Sequence, residues 1–155
     1  MVMTWDFSKV EASGNTEEIR QTLIEHVNNS IRAFSRRYQT FLPYPIEIHQ
    51  NNAISSFESL LMSVNASDNR LYLFIDEYDN FANELMVGHH KESPSRYKAL
   101  LSGEGAVKAL FKAVKSAARG DGLERTFVTG VAPVVLSDMS SGYNVAESIS
   151  VRREF

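Results

Sequence analysis

Hydrophobic positions along the chain fall into two kinds of run. In the first, apolar residues return every three or four positions: Ile19, Leu23, Val27, Ile31, Phe34 and Tyr38 line one face of a long helix. Asn15 ahead of it, with Glu18 three residues on, is the signature of a capped N-terminus. Pro43 and Pro45 in TFLPYPIEIHQNN break the helix, and Ile54, Phe57, Leu61 and Val64 restart it. AVKALFKAVKSAA is a further helix with Val107, Leu110, Phe111 and Val114 inward, closed by Gly120 and Gly122. In the second kind, short apolar runs lack that period: VMTWDFS over 2–8, LYLFID from Leu71, and RTFVTGVAPVVL from Arg125. A run without polar alternation suits a strand covered on both faces, as in a parallel sheet between helices.

The order is therefore strand, helices, strand, helices, strand, which predicts an α/β fold: a doubly wound parallel sheet in three αβα layers. Trp5, Phe7, Tyr72, Phe74, Phe111 and Phe127 are expected in the core, and His26 and His49 at the surface. Phe81 to Val87 reads as a helical turn or lid, followed by a polar loop, GHHKESPS; Met139 to Phe155 has no pattern that assigns an element.

At 155 residues, with no repeat or low-complexity run, the chain is expected to be a single domain over 1–155. A formal charge of -3 gives no footprint for phosphate neutralisation, so direct nucleic-acid binding is not expected. The absence of cysteine excludes disulfides and thiolate metal sites and fits a reducing compartment. MVMTWDFSKV has neither the charged-then-apolar pattern of a signal nor the length of a membrane span, so a cytoplasmic location is the expectation.

One stretch changes the picture. LYLFIDEYDN, residues 71–80, drives an apolar strand into Asp76, Glu77 and Asp79. Acids so placed repel one another and either splay into water or share a cation. In a doubly wound sheet, ligands bind outside the carboxyl ends of strands, where Asp76, Glu77 and Thr129 would all lie.

An apolar strand ending in Asp-Glu, followed some fifty residues later by one ending in a polar residue, resembles the Walker B and sensor 1 strands of P-loop ATPases. IDEYDN at 75–80 and FVTGVAPVVLSDMSSGYN at 127–144 are similar to the predicted AAA-ATPase-like family of bacteria, and WDFSKV resembles the strand after that family's P-loop helix. The resemblance implies ATP and magnesium as cofactors. It gives Asp76 the waters around the metal, Glu77 the polarisation of the attacking water, and Thr129 a hydrogen bond to that water or to phosphate. Asp79 would orient the loop or cap the following turn. It also implies that the parent protein carries a nuclease-like domain.

One element of the family is missing. A P-loop needs glycine-rich backbone followed by Lys and Ser or Thr, yet none of the eight glycines here precedes a lysine. The chain thus reads as a partial AAA-like core, beginning downstream of the P-loop and stopping before the fifth strand and lid domain, with little hydrolysis of its own. If the sheet order follows the family, residues 126–134 form a bare apolar edge, at which a homo-oligomer, a swap or a segment of the tail folded over the gap is expected.

Blander readings stand beside these. Asp76 and Glu77 also fit two solvated acids at a strand end, or with Asp79 a divalent-ion site without nucleotide, and Thr129 fits a strand-end hydrogen bonder. His89-His90 lacks metal-ligand spacing. Arg119-Gly120-Asp121 is expected to be a helix exit, and Arg125 a surface charge rather than a finger toward a neighbour's phosphate. A non-catalytic interaction module is the alternative function.

Overall fold

A computed structural model describes residues 1–11, 13–87, 100, 105–118, 120 and 122–130. His89-His90, Arg119, Asp121, residues 131–134 of the expected edge and the tail from Met139 lie outside them.

The apolar runs form three parallel strands, β1 (Val2–Asp6), β2 (Leu71–Asp76) and β3 (Leu123–Val128), in the order β1-β2-β3. Among the described residues four helices accompany them: α1 (Thr16–Tyr38), α2 (Ala53–Ala66), α3 (Tyr78–Val87) and α4 (Ala106–Ala117). The chain is a mixed α/β protein, as the pattern predicts.

Local chemistry sets the helix starts. Asn15 Oδ1 accepts the N–H groups of Glu17 and Glu18 at 2.9 and 3.0 Å, while its own N–H donates to Glu18 Oε2 at 2.8 Å. Such a reciprocal cap is worth about 1 kcal/mol. Asn52 caps α2 in the same manner, accepting from Ile54 and Ser55. The strand expected over 2–8 stops at Asp6, because the Asp6 carboxylate turns back to accept from Ser8 and tightens Phe7–Lys9 into a 3-10 turn. Gly122, at φ +88, lies against the Leu61 carbonyl and accepts from Leu71 N–H at 2.9 Å, so β3 begins where α2 leaves room.

Each of the four described helices packs against Trp5 of β1 or Phe7 just past it. Trp5 packs edge-on against Phe57 of α2 at 5.2 Å. Phe7, just past β1, gathers the rings of His26 on α1, Phe81 on α3 and Phe111 on α4 at 6.2 to 6.4 Å. Val107, Leu110, Phe111 and Val114 are buried, as the period of α4 predicts.

Burial along β2 alternates. Leu71, Leu73 and Ile75 are fully buried, whereas Tyr72 and Phe74 are each 38% exposed and Phe127 on β3 is 42% exposed. This corrects the expectation that β2 is covered on both faces and that these three rings are core, as far as the described residues go. Phe74 and Phe127, cross-strand partners, stack on each other at 4.9 Å instead. His26 is a second correction: it is half-buried behind Phe7 rather than a surface residue, whereas His49 is exposed. Among the described residues no helix is long and apolar enough to cross a membrane.

Candidate functional site

The parallel register sets the site. Asp6 lies beside Asp76, and Ile75 beside Val128, so the three strands end level and the residues after β2 and β3 share a rim. Thr129 follows β3 immediately, and its backbone N–H still donates to Ile75 O at 2.9 Å, extending the ladder by one step. Its hydroxyl donates to Asp76 Oδ1. The sequence expectation that Asp76 and Thr129 converge, across 53 residues of chain, is met in the geometry.

Glu77 stands at the turn. Its φ is +49, the one left-handed non-glycine residue among those described. This conformation costs a side-chain-bearing residue roughly 1–2 kcal/mol. The turn lets the Glu77 N–H donate back to Asp76 Oδ1 at 3.1 Å. It also aims the Tyr78 N–H at Thr129 O, 3.3 Å away, giving a partner to one of the amides that the start of α3 leaves unsatisfied. The strained residue therefore closes a stitch between β2, α3 and the segment after β3, with the Glu77 side chain exposed at its tip.

The Asp76 carboxylate faces water with its two oxygens in different roles. Both donors, the Glu77 amide and the Thr129 hydroxyl, fall on Oδ1, and among the described residues none falls on Oδ2. Oδ1 is fixed by the protein, and the residue as a whole is exposed. A single oriented carboxylate fits magnesium, which is commonly held by one or two carboxylates plus waters and phosphate oxygens. It does not fit an all-protein cage: among the described residues no three His, Cys, Asp or Glu side chains cluster to hold an ion. The expectation of a protein-only divalent site at Asp76, Glu77 and Asp79 is thereby corrected, because Asp79 is turned inward and buried in the first turn of α3 while Asp76 and Glu77 face outward.

Two residues escaped the sequence reading. Asp6 shares the rim with Asp76, but its carboxylate is engaged by Ser8 and by Lys9 Nζ at 2.8 Å. The Lys9 bond first, then Ser8, holds its pKa below the usual carboxylate value. The Asp-x-Ser spacing in WDFSK is the signal that could have found this cap. Gly130, exposed on one side, abuts Tyr78 and Asp79 on the other. Burial, with Asp79 adding to it, pushes the Tyr78 phenol up. Arg125 is exposed on β3, three rows back from Val128, as expected of a surface charge.

A family model described as predicted AAA-ATPase matches residues 1–140. The chain belongs to the AAA-ATPase-like family. No match was found among curated proteins or among solved structures. The matched range includes all three strands and the Asp76–Thr129 rim. Residues 131–144 of the second motif lie outside the described residues.

Proposed function

We propose that this AAA-ATPase-like chain carries the Walker B and sensor 1 elements of an ATP-hydrolysing unit, within a three-layer P-loop core of which the described residues form part. Support comes from one observation above the rest: the Thr129 hydroxyl and the Glu77 amide both hold Oδ1 of the exposed Asp76 at the carboxyl end of a parallel sheet. In this reading Asp76 would hold the waters around a magnesium ion, and that ion, when bound, would neutralise phosphate charge there. Glu77, exposed and held in a strained turn, takes a proton from water, and Thr129 orients the acceptor. The phosphate-cradling loop is not among these 155 residues. Cradling of that kind supplies a large share of transition-state stabilisation, and about 1.4 kcal/mol lost is tenfold in rate, so the chain alone turns ATP over slowly or not at all.

Calorimetric titration of the full chain with ATP and magnesium tests this. Binding that disappears in Asp76→Asn supports the reading. Silence in both proteins contradicts it.

A second reading has its own observation. β3 pairs with β2 alone among the described residues, leaving one side of Leu123–Val128 without a strand partner. A free apolar edge templates pairing with another chain, and on this reading the protein is an interaction module that assembles through residues 126–134. Light scattering at micromolar concentration distinguishes the two: a dimer without nucleotide binding favours assembly, and a monomer that binds nucleotide favours the first.

A further inference from the structure

We infer that Gly130 is a positioning residue for the Asp76–Thr129 pair: its missing side chain lets the segment leaving β3 lie against the first turn of α3. The functional consequence rests on the nucleotide reading of the rim; the geometry does not.

A Cβ at position 130 would stand 2.6 Å from Asp79 Oδ1 and 2.7 Å from Tyr78 Cδ1, and nearer still to Tyr78 Cε1. These separations are shorter than real Cβ atoms tolerate, and neither neighbour can withdraw. Tyr78 and Asp79 are only 4% and 3% exposed, and Tyr78 belongs to the hydrophobic core. Gly14, Gly120 and Gly122 adopt positive φ, whereas Gly130 is not among them, so the demand for glycine at 130 comes from close approach and not from backbone dihedral. Accommodating an extra atom therefore means moving residue 130, and Thr129 moves with it.

Thr129 is the residue least able to move without loss. Its N–H reaches Ile75 O, its carbonyl accepts from Tyr78 N–H, and its hydroxyl reaches Asp76 Oδ1. The longer of Thr129's two backbone bonds, 3.3 Å from Tyr78 N to Thr129 O, lies next to the Gly130 contact and gives first. Gly130→Ala thus lifts the Thr129 hydroxyl off Asp76 while leaving the Asp76 and Glu77 carboxylates chemically intact. It removes the same interaction that Thr129→Ala removes, by a different route.

Amide hydrogen exchange and Mn²⁺·ATP affinity, measured on the full chain as Gly130→Ala, Thr129→Ala and the double variant, test the inference. The Thr129 and Tyr78 amides should exchange about tenfold faster or more in Gly130→Ala, with the Leu73 amide unchanged, as for a local opening. Mn²⁺·ATP affinity should fall by the same factor in each single variant, and the double variant should lose no more than either. Unchanged exchange at Thr129 and Tyr78, or additive losses in the double variant, overturns the inference. Should the parent chain fail to bind Mn²⁺·ATP, the nucleotide reading falls, and exchange alone still decides the positioning role. Should Gly130→Ala not fold, Tyr78→Leu/Asp79→Ala/Gly130→Ala removes both side chains that the new Cβ meets. Recovery of folding and of protection at Thr129 then supports the inference, and failure to recover overturns it.

Discussion

Along β2 the two faces of the sheet carry equally apolar residues and meet opposite surroundings. Met3, Trp5, Leu73 and Ile75 turn toward the described helices and are buried; Tyr72 and Phe74, one position away on β2, and Phe127 on β3 remain more than a third exposed among the described residues. What separates them is not side-chain chemistry but which face the helices reach, since Phe57, Phe81 and Phe111 all converge on Trp5 and Phe7. Parallel sheets are ordinarily covered on both faces. An uncovered aromatic pair that stacks on itself at 4.9 Å keeps part of its apolar surface from water by pairing across strands.

The largest expected effect lies between Leu73 and Phe74. Leu73→Ala removes a fully buried side chain and should cost about 2–5 kcal/mol in urea denaturation. Phe74→Ala, though a larger truncation, should cost only about 1 kcal/mol, the worth of its stack on Phe127 and its partial burial. Equal losses would break the comparison, showing that the outer face is packed as tightly as the inner one.

At the rim, where the faces meet, strain and charge separate cleanly. Glu77→Gly relieves the positive φ and should stabilise the chain by about 1 kcal/mol, whereas Glu77→Gln, which keeps the strain, should leave stability within about 0.5 kcal/mol. A loss of stability in Glu77→Gly would show that the turn carries no strain.

The smallest effect belongs to His26. Burial lowers its pKa; Asp6 opposes the shift and Lys9 adds to it. Its Nε2 is buried without a partner among the described residues. A depressed histidine favours the fold when neutral, so its contribution is fully present above its ordinary pKa, 6.5, and declines as pH falls below it. The melting temperature should drop a few degrees between about pH 7 and 5, and His26→Gln should flatten that drop. A flat wild-type profile would show that the ring is solvated.

Much of this architecture was legible in the residues. Asn15 and Glu18 announced the start of α1, and the periods through Tyr38 and Val114 assigned the buried faces, because capping and helical spacing are local. The end of β2 was legible too: a run of apolar residues stopping at Asp76 marks a carboxyl terminus of a strand, and Thr129 falls level with it once the strands are parallel. The exposed face was not. In LYLFI every position is apolar, so the burial alternation that the fold imposes leaves no trace in residue type. Gly130 escaped for a related reason: its need to be glycine arises from Tyr78 and Asp79, fifty residues earlier, and has no local signature. His26 was read as polar and therefore external, when Phe7 decides its surroundings.

The central claim, that Asp76, Glu77 and Thr129 form one rim that meets a metal-bound triphosphate, is tested most directly by paramagnetic broadening. On adding Mn²⁺·ATP to the full chain, the amide signals of Glu77 and Thr129 should broaden together while that of Asn28 on α1 stays sharp, and Asp76→Asn should abolish the effect. Broadening at one of the two without the other, or broadening that survives Asp76→Asn, would contradict the account.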